Sequence, residues 1–228
     1  MDKSDIAGNL EKELPEIIKK IASVNGISEY NDNPDFLEER LKAWHQFGLI
    51  SHTKKVREAY LNELDKIFKE WGLIFKIKKK LKERINDKEK EELLDISIIL
   101  HDLGKIICLS DKKTCSEHET LTDDKKTNRE HEIISKDLLS KDFLKKKLEN
   151  FGLDKQQIEY IKRCVETHDI LGKNLRDELK HKNMLNIESF EKEEIKSICK
   201  SLAEKYKDVK IEIGIFFVCD SLGKTGIR

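Results

Sequence analysis

At 228 residues the chain is long enough to bury one sizeable core, and an apolar content of 37% supplies the side chains for it. Charged residues make up 39%, divided into 45 basic and 45 acidic, so the global field is weak and gives no reason to expect broad capture of nucleic acid or of an acidic membrane. Only two prolines and ten glycines interrupt the chain, which leaves long stretches for helices, argues against a sandwich or strand-rich barrel, and makes all-α the expected class.

The amino terminus, MDKSDIAGNLEKELPE, is acidic and polar where a signal peptide would be basic and then apolar. No run approaches the roughly 18 apolar residues of a membrane span, so a soluble, cytoplasmic protein is expected. Residues 1–35 read as an N-terminal helical extension, and 36–228 as the body of a single globular domain. In NDNPDFLEERLKAWHQFG, Asn33 is a candidate cap, Pro34 suits the first helical position and Gly48 a stop, with Phe36, Leu37, Leu41 and Trp44 on one face. The next segment, SHTKKVREAYLNELDKIFKEWG, places Val56, Tyr60, Leu64, Ile67 and Phe68 at helical spacing and stops at Gly72. Trp44, Phe47 and Trp71 read as core or pocket wall. FKIKKKLKERIN is very basic; with Ile77, Leu81 and Ile85 pointing inward it reads as a solvated helix face before it reads as a nucleic-acid patch.

Asp87 is positioned to cap DKEKEELLDISIILHDLG, whose acidic start suits the positive end of a helix and whose Gly104 suits the exit. Residues 108–128 lack an apolar period and read as a long polar loop. Helical patterns resume in REHEIISKDLLSKDFLKKKLENFG, in LDKQQIEYIKRCVETHDILG with Asp154 as cap, and in NIESFEKEEIKSICKSLAEKY. VKIEIGIFFVCDSLGKTGIR alternates like a strand at first and then runs continuously apolar; with no strand partner in view, helix is expected. Five cysteines (Cys108, Cys115, Cys164, Cys199, Cys219) in no CxxC spacing fit reduced thiols better than a disulfide scaffold or a cysteine zinc site.

The apolar run SIILHDLGKI ends in His101 and Asp102, two strong metal-ligand types side by side. His52 opens one predicted helix, His101 closes another, His131 opens a third and His168 ends a fourth; helix ends around a bundle interior can bring such groups together, and imidazole with carboxylate suits zinc, iron, manganese or nickel. His45, His118 and His181 fall outside this pattern. Adjacent helical residues stand about 100° apart, so His101 can bind one ion while the two oxygens of Asp102 bridge it to a second.

The order His52, His101–Asp102, His131, His168, Asp220 resembles the HD superfamily of metal-dependent phosphohydrolases, whose pattern is a histidine, a His-Asp doublet on a helix and a later aspartate. HDLGK is a common form of the doublet there, EHEIISKDLL and IEYIKRCVETHD look like the helices that carry the two added histidines of dinuclear members, and the match runs from residue 52 to 220. The resemblance implies an HD-domain helical bundle over 36–228 and two divalent transition-metal ions, iron or manganese first, with nickel, cobalt, zinc or magnesium as other choices. His52, His101, Asp102 and Asp220 would hold the first ion, and Asp102, His131 and His168 the second. Lys105 would turn toward the substrate, with Asp102 at the catalytic centre. The reaction implied is hydrolysis of a phosphoester in a nucleotide or other small phosphorylated molecule by an activated water.

Rival readings follow from the same residues. The ligand set also resembles the dinuclear iron oxygenases of the superfamily, including myo-inositol oxygenase, and a third reading is a sensory or partner-binding module that keeps the metal and has lost turnover. A second doublet, His168–Asp169, framed by His131 and Asp220, would give a one-metal site but leave His52 and His101 without a role. Lys173 and Lys224 are further phosphate-binding candidates. SLGKT at 221–225 looks like the end of a phosphate loop but lacks the first glycine. The chain stops eight residues after Asp220, which fits a compact member, a shortened protein or one part of a split system, with a homo-oligomer or a partner chain expected to close the pocket near the C-terminus.

Overall fold

A computed structural model describes residues 5–27, 48–110, 130–182 and 190–225. The helix expected from 33 to 48 and most of the polar loop after 108 lie outside the described residues, apart from Gly48. The protein is an all-α bundle: α1 (Ile6–Val24), α2 (Leu49–Asn62), α3 (Leu64–Glu70), α4 (Ile74–Leu81), α5 (Lys90–Leu100), α6 (Lys105–Ser110), α7 (His131–Leu139), α8 (Asp142–Asn150), α9 (Lys155–Thr167), α10 (Ile170–His181), α11 (Lys192–Lys205) and α12 (Lys210–Thr225). The C-terminal segment, ambiguous by period, is helical because both of its apolar sets find helices to pack on. No helix among the described residues is long and apolar enough to cross a membrane.

One pair of short strands, β1 (Arg84–Ile85) and β2 (Lys88–Glu89), interrupts the helices as an antiparallel hairpin in the register Arg84↔Glu89 and Ile85↔Lys88. The helix expected to run through Asn86 therefore ends at Leu81. Asn86 takes a φ of 55°, open to asparagine at small cost, and the tip is tied to α9: Gln157 Nε2 donates to Ile85 O (3.0 Å) and Asp87 Oδ1 (2.7 Å). With Asp87 held there, the cap of α5 falls to Glu89, which forms a reciprocal capping box with Glu92. Asp154 caps α9 as its sequence indicates, accepting from the backbone N–H groups of Gln156 and Gln157.

The core has two parts that meet along α5 and α9. One gathers Leu10, Leu14, Ile18 and Ile21 of α1 with Leu93, Ile96 and Ile99 of α5, the inner faces of α7 and α8, and Ile158, Ile161 and Val165 of α9. Residues read as a helical extension are thus built into the main packing. The other part joins α2, α3 and α4 to Val209, Ile213, Phe216 and Cys219 at and along α12, with Leu94 and Ile98 from α5 and Cys164 from α9. Helix α5 is buried on both sides, which is why its sequence is apolar without an amphipathic period. Arg57 ties three helices together, its Nε and Nη2 forking onto Asp95 (2.8 and 2.9 Å) and its Nη1 reaching Glu11 (2.5 Å). Cys108 is half of a disulfide, contrary to the expectation of reduced thiols. Cys164, Cys199 and Cys219 are free, and burial pushes the Cys219 thiol up to about 12, an unreactive setting.

Candidate metal centre

Five helices deliver the predicted ligands to one buried point, some from within the helix and some from its end. His52 lies in the first turn of α2, His131 is the first residue of α7, and Asp220 stands on α12; His101 and His168 follow the last residues of α5 and α9. The last two share a local device. Carbonyls in the last turn of a helix lack intrahelical partners, and the imidazole takes one: His101 Nδ1–H donates to Ile98 O (2.7 Å), and His168 Nδ1–H donates to Val165 O (2.8 Å). That donation assigns the tautomer and leaves Nε2 of each ring as a lone pair aimed at the centre. The rings of His101 and His168 meet edge to face, 4.9 Å between centroids, and Phe216 covers both.

Asp102 stands in the middle. Its Oδ2 faces His101 Nε2 (3.1 Å), His52 Nε2 (3.5 Å) and Lys105 Nζ (2.8 Å); its Oδ1 faces His131 Nε2 (3.4 Å) and His168 Nε2 (3.5 Å). His52 Nε2 is also 3.0 Å from Asp220 Oδ1, and Lys224 Nζ is 2.6 Å from Asp220 Oδ2. Two overlapping groups could hold a metal ion, His52 with His101 and Asp220, and His101 with Asp102 and His168, the ligand atoms of each lying within 4.8 Å of one another; His131 is in neither group and meets the centre through Asp102 Oδ1. All six side chains are buried.

The electrostatics favour ligand forms. Burial keeps the His101 imidazole below its ordinary value and so neutral at pH 7, although neighbouring Asp102 pulls the other way. Burial pushes the Asp102 carboxyl up, but the charge of His101 when protonated and the ammonium of Lys105 outweigh it and hold the group well below the usual carboxylate range. For Asp220 burial is likewise outweighed, by the hydrogen bond to His52 and the charge of Lys224. Although His101 Nε2 and Asp102 Oδ2 are within 3.1 Å, the contact is not a hydrogen bond, and His101 Nε2 and Asp102 Oδ1 are buried without a hydrogen-bond partner. Two acceptors facing each other in a site closed to water repel unless a cation lies between them. The residues present therefore fit a metal.

Two glycines let the ligand helices approach. A Cβ on Gly104 would stand 2.1 Å from His131 O and 2.8 Å from Ser135 N, and the Gly104 N–H donates to Ser135 Oγ (2.7 Å). The glycine after the doublet thus brings α7, and His131 with it, against Asp102. On the other side a Cβ on Gly223 would stand 2.6 Å from Val56 Cγ2 and 3.1 Å from Val56 N. That contact seats α12 on α2 one turn beyond Asp220 and His52.

The doublet sits at the end of α5 and in the turn after it, and α6 follows where an irregular loop is expected. Asp169 takes no part in either ligand group: it precedes α10 and pairs with Arg176, so the one-metal frame loses its carboxylate. Lys173 pairs with Glu130. SLGKT is the last turn of α12 and cannot wrap a phosphate. Glu132, unremarked in the sequence, is buried with its Oε2 3.4 Å from His131 Nδ1, within ion-pair distance, although that oxygen makes no hydrogen bond. Its signal was only an acidic residue beside a histidine, common in a chain with 45 acids. No protein-family model, no curated protein and no solved structure matches the chain at a significant level.

Proposed function

We propose that this protein is a metal-dependent phosphohydrolase of the HD type that cleaves a phosphoester of a nucleotide or another small phosphorylated molecule. Two divalent transition-metal ions, iron or manganese, would be held by His52, His101, Asp102 and Asp220 on one side and by Asp102, His131 and His168 on the other. The reading rests above all on the Asp102 carboxylate, one oxygen turned to each group of imidazoles, with His101 Nε2 and Asp102 Oδ1 buried and lacking any hydrogen-bond partner. The order of the six ligands along the chain and the HDLGK form of the doublet agree with it.

When bound, such ions supply a hydroxide-like water at neutral pH and neutralise charge on a phosphoryl group. The protein's own groups do the rest. Asp102 and Asp220 bring negative charge to the ions, and the rings of His101 and His168 are fixed by backbone carbonyls so that no reorientation accompanies binding. Lys105 and Lys224, each on a ligand carboxylate, are placed to receive phosphate oxygens as point charges. Phe216 keeps water from the far side of the two rings.

The test is metal analysis of the protein as purified, followed by assay of the manganese-loaded form on nucleotides and phosphodiesters. Phosphate release without oxygen uptake is expected. Substrate-dependent oxygen consumption by the iron-loaded protein would replace hydrolysis with oxygenation, and two bound ions without turnover on any substrate would leave a sensory module. A protein that stays metal-free in excess manganese or iron would overturn the reading altogether.

A further inference from the structure

The corner between α3 and α4 carries a surface that the charge balance of the whole chain conceals. Helix α4 turns Ile74, Ile77 and Leu81 toward the core. Its opposite face presents Phe75, Lys76, Lys79 and Lys82 at helical spacing, all exposed. Phe75 is 89% exposed, and Trp71 and Leu73, just before it, are 57% and 40% exposed. A single exposed apolar residue needs no explanation; three within five residues at a protruding corner do. Lys66, Lys78 and Lys80 pair with Glu63, with Asp65 and Glu91, and with Glu83. Lys69, Lys76, Lys79 and Lys82 are exposed and enter no ion pair among the described residues.

We propose that this corner docks on an anionic lipid surface, with Phe75, Leu73 and Trp71 entering the boundary between headgroups and acyl chains and the unpaired lysines meeting lipid phosphates. Charge complementarity and the kind of apolar residue point the same way. Lysine is a flexible point charge suited to a diffuse field of headgroups, and no arginine fork for a single fixed phosphate stands among the apolar three. Tryptophan and phenylalanine are interfacial residues, and Leu73 has no ring on which a base could stack. Net neutrality does not oppose this, because charges more than about 8 Å away are screened at physiological salt and only the local patch is felt. The inference is independent of the metal centre.

The test is sedimentation of the full-length protein with vesicles of phosphatidylcholine alone and of phosphatidylcholine with phosphatidylglycerol in equal parts, while the tryptophan emission is followed. Binding to the anionic vesicles only, weakened by salt and accompanied by a blue shift, is expected. Phe75→Ser should weaken partition about tenfold, and Lys79→Gln and Lys82→Gln about fivefold each. These side chains are exposed, so helix content and metal content should stay as in the wild type. Absence of vesicle binding would overturn the proposal. So would binding that Phe75→Ser leaves unchanged, tight binding of a single-stranded oligonucleotide in place of vesicles, or a concentration-dependent dimer abolished by Phe75→Ser.

Discussion

On the Oδ2 side of Asp102, His52 and Asp220 stand on α2 and α12, which among the described residues pack together more extensively than any other pair of helices, along an apolar seam, while His101 on the same side follows the last residue of α5. On the Oδ1 side, His131 is the first residue of α7 and His168 follows the last residue of α9, so both depend on helix ends. A ligand carried by a packed helix body is held by many contacts, each of small weight. One at a helix end is held by a few backbone contacts, here Gly104 against His131 O and a carbonyl for the His168 ring. The His52–Asp220 pair should tolerate local change; the His131–His168 pair should not. Helices α5 and α9 contribute to both parts of the core, and they carry the doublet and His168 at the point where the two parts meet.

Asp102 belongs to both sides, and its loss should have the largest effect. Asp102→Asn should empty both positions in metal analysis and lower any hydrolytic rate by about a thousandfold or more. Retention of one ion would show that the two sides are independent and that the bridge is not required.

The glycines probe the comparison directly. Gly104→Ala forces a methyl against a backbone oxygen that cannot move without α7, and should cost about 3 kcal/mol in denaturant unfolding. It should also release the ion on the His131 side first. Gly223→Ala meets the side chain of Val56, which can yield, and should cost about 1–2 kcal/mol, part of it recovered in the double variant with Val56→Ala. Equal costs, or metal loss only in the Gly223 variant, would break the distinction between the two sides.

A finer probe is Glu132→Gln. The amide keeps the shape but removes the charge beside His131 Nδ1, so on the proposed two-ion reading affinity for the ion at His131 should fall about 10–100-fold in manganese titration while the other is unchanged. A uniform decline at both positions would assign Glu132 a role in general stability only. The smallest effect is expected for Asp169→Asn. Breaking its pair with Arg176 should cost about 0.5–1 kcal/mol and leave the metal content as in the wild type. Loss of metal in this variant, with retention in Asp102→Asn, would restore the one-metal frame.

What the sequence by itself determined is the helical class, a few helix starts and stops, and the kind of side chain available at the centre. These are local properties: the scarcity of proline and glycine, a 3.6-residue apolar period, Asp154 before α9, and a His-Asp doublet at the end of a buried run. The breaks at Glu63 and at 140–141 carry no mark in the apolar period. The doublet was legible because a helix apolar on every side has few reasons to end in two ligand types.

Contacts between residues distant in the chain were decided only by the tertiary structure. The hairpin at Ile85 exists because Gln157, on another helix, takes its carbonyl; Asp87 lost its expected cap to the same side chain. That Asp169 meets Arg176 while Asp102 faces the histidines was decided in the same way, and the value of Gly104 and Gly223 lay in the neighbours their missing Cβ atoms would strike. Phe75 looked like any other residue of a basic helix until the bundle chose which face of α4 to bury, since period fixes spacing along a face but not which face the core will claim.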